Sequence, residues 1–188
     1  LTEIYNGLSM QPVIYAVAVC MLNEGAEIFG TYYSIVRNDF AVLTTSNGAA
    51  QIEKKLKENT RISGATFVDV DKDGNIDEAS LERIEAAENR EGIFFKPGKG
   101  GAVSIGGNLR SMAAGRRLMD ITKEKIIESD RRIRGGDIAI SPAVTGYNST
   151  ACGYCEYAAA CRFDDPLKCG RDVTGNDDDI WKILEEDE

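Results

Sequence analysis

Three cysteines near the end of the chain place the strongest constraint on its fold: Cys152, Cys155 and Cys161, spaced C-x2-C-x5-C within ACGYCEYAAACRFDD. A gap of two residues lets both thiolates of one tight turn reach a single metal centre. The longer gap predicts one helical turn that returns the third thiolate to it. Thiolates favour soft centres, namely zinc or an iron–sulfur cluster. A chance cluster of buried thiols is the alternative, but three of the five cysteines fall within ten residues, beside Gly153.

The fourth ligand of such a site stays open, because a closed zinc or 4Fe-4S site needs four. Cys169 follows Cys161 by eight residues and is one candidate. Cys20 would have to approach through the fold, and the ligand could also lie on sequence outside this chain. The chain opens with Leu1 and not with an initiator methionine. We therefore expect it to be a piece of a longer protein.

The sequence contains no histidine. This excludes Ser-His-Asp and Cys-His catalysis within the chain, together with every metal site that uses histidine. Carboxylates, lysines, tyrosines and cysteines are left for chemistry. The 188 residues suffice for one core, and 43% hydrophobic with 28% charged residues is typical of a soluble protein. No apolar run is long enough for a membrane span, and the odd cysteine count favours a reducing cytoplasm.

Charge is distributed unevenly along the chain. The net charge is −9, and residues 172–188 hold eight acids and one base. Local charge, and not the total, decides phosphate binding. Basic residues are concentrated in residues 110–134. This concentration predicts either a phosphate-binding surface or a solvated helix face with internal ion pairs. The basic residues of this stretch are Arg110, Arg116, Arg117, Lys123, Lys125, Arg131, Arg132 and Arg134.

Periodicity and turn residues predict a mixed α/β chain. Residues 9–23 predict a largely buried helix, with Ser9 as its N-cap and Pro12 in its first turn. Residues 108–134 predict a long helix that ends at two glycines. A packing stripe recurs in it every seven residues, at Met112, Met119, Ile126 and Ile133.

Shorter elements fill the rest of the chain. Composition shifts near residue 141 and divides the chain into 1–140 and a cysteine-bearing segment, 141–188. A terminal helix is predicted to be capped by Asp177 to Asp179. Strands are predicted at 27–36, 40–45, 64–70 and 137–142 and on both sides of a Gly-rich loop within 92–105, with polar helices at 49–60 and 77–89.

An acidic segment, DVDKDGNIDEAS, is similar to a calcium-binding loop. Asp69, Asp71, Asp73 and Gly74 occupy the expected positions. Position twelve, however, is Ser80, where a bidentate Glu is expected. The simpler interpretation is an acidic turn in which Asp77 caps the next helix.

Two features occur in a distinctive order. Gln11 and Tyr15 form Q-x3-Y on the first helix, where i,i+4 spacing places them on one face. The block GGDIAISP…TACGYCEYAAACRFD follows some way along the chain. Together with YNGLSMQPVIYA and DDDIWKILEE, these segments resemble the C-terminal part of the B subunit of AddAB-type ATP-dependent helicase–nucleases.

The resemblance implies an α/β, restriction-endonuclease-like fold of the RecB-like PD-(D/E)xK type, with 1–140 as part of its nuclease core. In that family, acidic residues and a lysine hold magnesium and activate water for phosphodiester hydrolysis. Gln11 and Tyr15 would support DNA placement, and the three clustered cysteines would bind 4Fe-4S. Implied partners are DNA and the A subunit, in a heterodimer that repairs double-strand breaks. The DNA-contact candidates are Arg116, Arg117, Arg131 and Arg132.

Departures from the family pattern leave two alternatives. The family's catalytic Asp and D-Y-K-type strand are expected just before Leu1, and its fourth cluster cysteine lies well upstream. One alternative is a CRISPR-associated RecB-like exonuclease, although the long insert between residues 24 and 108 favours the AddAB-type family. The other is a zinc-stapled binding module without catalysis, closed by Cys169.

Overall fold

The computed structural model describes residues 1–33, 63–70, 75–88, 109–145, 149–161 and 170–186. Their elements, in chain order, are α1 (Thr2–Tyr5), α2 (Gln11–Leu22), β1 (Gly30–Tyr33), β2 (Ser63–Val68), α3 (Glu78–Glu88), β3 (Leu109–Ser111), α4 (Met112–Arg134), β4 (Ala143–Thr145), β5 (Ser149–Thr150), a 3-10 turn (Ala151–Tyr154), α5 (Ala158–Cys161), β6 (Arg171–Asp172) and α6 (Asp177–Glu186). The mixed α/β prediction is confirmed at this level. The restriction-endonuclease-like fold stays a prediction. The strand at 40–45, the helix at 49–60 and the segment 92–105 lie outside the described residues.

The chain divides into two compact units, one of residues 15–117 and one of residues 1–14 with 118–187. The predicted division near residue 141 stays a prediction.

The unit of residues 15–117 contains a three-stranded sheet in the order β1-β2-β3. β1 runs antiparallel to β2, and β3 runs parallel to it. Val68, Ile84 and Leu109 form a buried cluster in this unit. Gly115 of α4 faces the ring of Phe67, where a Cβ would lie 2.7 Å from the nearest ring atoms. Glycine at this position therefore permits close packing of helix on sheet.

The other unit holds a small sheet in the order β5-β4-β6 and the terminal helix α6. Ile180, Trp181 and Leu184 are the buried face of α6. Its N-cap is Asn176, whose Oδ1 accepts from the N–H of Asp179 at 3.0 Å. The prediction that Asp177 to Asp179 cap this helix is therefore wrong by one residue.

Asp177 instead joins α6 to α1 by accepting hydrogen bonds from Thr2. The Thr2 backbone N–H and hydroxyl both donate to Asp177 Oδ1, at 2.8 and 2.7 Å. Asn6 Nδ2 donates to the carbonyl of Thr174 at 3.0 Å. Hydrogen bonds thus join segments that are 175 and 168 positions apart in the sequence.

The start of α2 differs from its prediction. Ser9 has a positive φ of 48°, and its hydroxyl donates to the carboxylate of Glu3 at 2.6 Å. Met10 precedes the helix, and its carbonyl accepts from the N–H groups of Val13 and Ile14. The N-cap prediction for Ser9 is therefore wrong, whereas Pro12 does lie in the first turn.

Burial of α2 is confined to one face, although the sequence predicts a mostly buried helix. Val13, Ala16 and Val17 are buried, while Val19 and Leu22 are exposed. High apolar content all around a helix does not reveal which faces have packing partners within the chain.

The long helix α4 begins later than predicted, because Leu109–Ser111 pairs with β2 as a strand. It ends as predicted, in a Schellman motif: the N–H of Gly136 bonds the carbonyl of Ile133, and that of Asp137 bonds the carbonyl of Arg132. Gly136 supplies the required positive φ, 77°.

Only the first part of the predicted α4 stripe is packed. Met112 is buried, but Ile126 is 37% exposed and Ile133 is 74% exposed. The helix continues past the last buried position, Thr122, supported by i,i+3 and i,i+4 ion pairs along its exposed turns.

The strand predicted at 137–142 is not present in the structure. Asp137 Oδ1 accepts from the N–H of Ala139 at 3.1 Å. Such a side-chain turn diverts the backbone from strand pairing. Pairing begins instead at Ala143, in β4.

Candidate functional site

The three clustered cysteines lie on two consecutive turns. Cys152 is in the 3-10 turn, and its carbonyl accepts from the N–H of Cys155 at 3.2 Å. Cys161 ends α5, where its N–H bonds the carbonyl of Tyr157 at 2.8 Å. Both turns predicted from the spacing are present, but the return of the third thiolate to a common centre is not seen among the described residues.

The thiols are accessible. Cys152 is half-buried, and Cys155 and Cys161 are exposed, each as a free thiol. Cys20 is a free thiol as well, and its Sγ lies 3.4 Å from the carbonyl oxygen of Ala26. Cys169 lies outside the described residues.

The donor chemistry fits a soft metal centre, because three thiols stand within ten residues. Their arrangement is not a closed ligand set. In the part of the chain that the structure describes, no three His, Cys, Asp or Glu side chains converge closely enough to hold a metal ion. Binding there would require the turns to draw the thiols together, and a further ligand. The iron–sulfur assignment stays a prediction.

Gln11 and Tyr15 are the first residue and the fifth residue of α2. Both are exposed, and helical geometry places positions i and i+4 on the same side of the helix. The arrangement therefore leaves both side chains reachable by a large ligand. Their predicted roles in DNA placement are untested.

Arg116, Arg131 and Arg132, which were singled out for DNA contact, are engaged in ion pairs. Arg116 pairs with Glu27, and Arg131 pairs with Glu128 one turn earlier in α4. Arg117 is half-buried.

Arg132 lies 2.6 Å from the carboxylate of Asp137. Hydrogen bonding from the Ala139 N–H, and then the bond and charge of Arg132, hold the pKa of Asp137 below its usual range. These contacts match the alternative of a solvated helix face. Even so, α4 carries seven basic and four acidic residues, so the net charge of the helix is positive.

The described residues on both sides of the acidic segment are joined by backbone and side-chain contacts. Val70 and Ile76 form an antiparallel bridge, and the N–H of Ser80 donates to Asp77 Oδ1 at 3.0 Å. Asp77 therefore caps α3, as the simpler interpretation predicts. The buried Ser80 hydroxyl accepts from the N–H of Asp69 at 3.1 Å. Asp71, Asp73 and Gly74 lie outside the described residues, and calcium binding stays untested.

Two further residues were not singled out from the sequence. Tyr154 and Tyr157, which flank Cys155, are 96% and 74% exposed. Large rings are usually buried, at least in part. Their position inside a metal-type cysteine motif is the sequence signal that could have identified them.

No helix within the described ranges is both long enough and apolar enough to cross a membrane.

Sequence comparisons give the chain its relatives. No family model matches it. It is 26% identical over 188 residues to a protein of Enterococcus faecalis named as the B subunit of an ATP-dependent helicase/deoxyribonuclease, covering 89% of this chain and 14% of that protein. Proteins of the same name from Bacillus cereus and Clostridium kluyveri are each 24% identical, over 89% and 98% of this chain.

These relatives are components of an enzyme whose name joins a helicase to a deoxyribonuclease. The resemblance of this chain to the B subunit of the ATP-dependent helicase/deoxyribonuclease is confirmed. The chain spans 14–16% of the length of these curated relatives.

Proposed function

We propose that this chain is part of the nuclease subunit of an ATP-dependent DNA helicase–nuclease that processes double-strand ends in recombinational repair. One observation carries the proposal: similarity to the B subunits of ATP-dependent helicase/deoxyribonucleases extends over 89% or more of the chain in all three cases. Motif order adds support, because Q-x3-Y precedes the cysteine block, as the resemblance requires.

The proposal assigns DNA placement to this sequence and hydrolysis to the rest of the subunit. Gln11 and Tyr15 support placement of DNA near the site of hydrolysis. Magnesium and the carboxylate–lysine set belong to a RecB-like nuclease fold in the complete subunit. The chain itself does not show that set, so catalysis is assigned to sequence outside these 188 residues.

A 4Fe-4S cluster is the proposed occupant of the cysteine segment. Cys152, Cys155 and Cys161 would supply three thiolates, and Cys169 or a residue elsewhere in the complete subunit would supply the fourth. When bound, such a cluster cross-links the turns that carry its ligands and so fixes the shape of the segment.

The proposed partners follow from the same resemblance. They are DNA and the A subunit of the helicase–nuclease, with which the complete protein would form a heterodimer in the cytoplasm. The CRISPR-associated exonuclease and the zinc-stapled module remain the competing interpretations.

Competition between linear and circular DNA tests the proposal. The purified chain is bound to a labelled duplex with two free ends, and unlabelled linear or covalently closed circular DNA of the same sequence is added. We expect linear competitor to displace the label at a molar concentration at which circular competitor does not. Equal displacement would contradict end recognition, and absence of any binding would contradict the proposed function of this chain.

A further inference from the structure

We infer that Tyr154 and Tyr157 form a stacking platform for unpaired DNA bases on the surface of the cysteine segment. The inference rests on the proposed function, because it names the part of a DNA substrate that this segment binds. It begins from the exposure of the two rings, 96% and 74%.

Backbone hydrogen bonds hold these rings on ordered turns. Tyr154 is the last residue of the 3-10 turn that contains Cys152. The carbonyl of Cys155 accepts from the N–H of Ala158 at 3.2 Å, and the carbonyl of Tyr157 accepts from the N–H of Cys161 at 2.8 Å. A ring on an ordered turn loses less conformational entropy on binding than a ring on a mobile loop.

Open space lies at Gly153, the residue before Tyr154 in the chain. A Cβ placed on Gly153 would meet no other heavy atom within 4 Å, its chain neighbours aside. The backbone next to Tyr154 is therefore accessible to a flat ligand. Glycine at this position carries no positive φ that would explain its presence.

The charge of this segment favours contact with DNA bases over contact with phosphates. From Ser149 to Cys161 the sequence holds one charged residue, Glu156, and no Lys or Arg. This stretch therefore offers phosphates no cation of its own, and the next basic residue, Arg162, lies outside the described residues. Aromatic rings bind nucleic acid through another contact, stacking on exposed base faces, which requires no positive charge. Bases are accessible in single strands and frayed ends, and not inside an intact duplex.

The experiment measures binding of a labelled single-stranded oligonucleotide by fluorescence anisotropy. Tyr154→Ala and Tyr157→Ala should each weaken binding about tenfold, in keeping with base–aromatic stacking. Phe at either position keeps the ring and should bind like the wild type. Ile138→Ala is the matched control, because Ile138 is an exposed apolar residue without a ring, 91% exposed.

Further readouts separate stacking from other causes. Gly153→Val leaves both rings in place but fills the open space, so it should weaken binding, whereas Gly153→Ala should weaken it less. The slope of log K against log salt should be the same in the wild type and the Tyr→Ala variants, because no counterion release is lost. Metal content and thermal unfolding of each variant should match those of the wild type.

The outcomes also distinguish this inference from the proposed function. If the Tyr→Ala variants bind single strands as tightly as the wild type, the inference of a stacking platform is wrong and the proposed function stands. A smaller salt slope in those variants would mean that a phosphate contact was removed, which also overturns the platform. If the wild type binds no DNA of any form, both proposals are wrong.

Discussion

Cys169 tests whether this chain contains the fourth ligand that the proposed cluster needs. Three thiolates hold a 4Fe-4S cluster loosely, because one iron lacks a protein ligand. After anaerobic reconstitution with iron and sulfide, we therefore expect the chain to lose its visible absorption on desalting, and Cys169→Ala to behave the same. Cys155→Ala is the matched comparison, because it removes one of the three predicted ligands. This variant should take up less iron than the unchanged chain.

Two results would contradict this prediction. A stably brown chain that Cys169→Ala bleaches would show that Cys169 closes the site. One zinc per chain and no stable cluster would favour the zinc-stapled module. Metal analysis and a visible spectrum on the same sample separate these results.

Asp77 gives one turn of the fold a dependence on pH. Its hydrogen bonds with Ser80 lower the pKa of the carboxyl below its usual range and outweigh desolvation. A folded-state pKa below the unfolded one contributes stability above the unfolded value, and this contribution is lost as pH falls through the folded value. Acid should therefore weaken α3 at the Asp77 end.

Asp77→Asn tests this, because Asn caps helices about as well as Asp but does not titrate. The variant should unfold at nearly the wild-type denaturant concentration at neutral pH. Its stability should fall less than that of the wild type on acidification from about pH 5 to pH 3, the range around the ordinary Asp pKa. Identical acid profiles would show that Asp77 contributes nothing.

At the scale of elements, some described helices and strands follow from local patterns, whereas long-range packing decided others. β2 and α3 were predicted from strand propensity and from the capping Asp77, and both signals are local. The N-cap of α2 was not, because Ser9 bonds Glu3 across a turn. The exposed end of α4 was missed as well, since a heptad stripe does not show where its partner surface stops.

The contact between α1 and α6 was beyond prediction from sequence. Thr2 and Asp177 are 175 positions apart, and no pattern links a threonine to one of three consecutive aspartates. Asp177→Ala should destabilise the unit by about 0.5–1 kcal/mol, since the carboxylate is largely solvent-exposed and its hydrogen bonds are screened. Asp177→Asn is the control for lost charge, because it removes the charge and keeps an oxygen that can accept from Thr2. Equal effects on denaturant unfolding would mean that only charge near the helix start matters.

The arginines of α4 are predicted to contact phosphates of duplex DNA. In the chain bound to duplex, replacing Arg116, Arg117, Arg131 and Arg132 with Gln should lower the slope of log K against log salt by about 0.9 for each phosphate contact removed. Lys182→Gln on α6 is the control and should leave the slope unchanged. The ion pairs with Glu27, Glu128 and Asp137 compete with phosphates. An unchanged slope would mean that these pairs persist and the helix face is only solvated.

At the scale of the whole molecule, the candidate site could be predicted only where its parts are close in sequence. The turns that carry Cys152, Cys155 and Cys161 follow from their spacing. The thiols do not converge on a metal site in the part of the chain that the structure describes, and no local pattern identifies a fourth ligand. The exposure of Tyr154 and Tyr157 depends on what packs against them, which composition does not reveal.

The last prediction concerns hydrolysis. Magnesium-dependent cleavage in the proposed nuclease class needs carboxylates and a lysine on a strand, and the chain shows no such set. Incubation of the purified chain with linear DNA and magnesium should therefore leave the DNA at full length on a gel, with a magnesium-dependent exonuclease as positive control. The nearest match, Glu53-Lys54-Lys55, lies outside the described residues and in a segment that the sequence predicts to be a polar helix. Glu53→Gln should make no difference. Cleavage that any substitution within these 188 residues abolishes would show that the chain carries its own catalytic site.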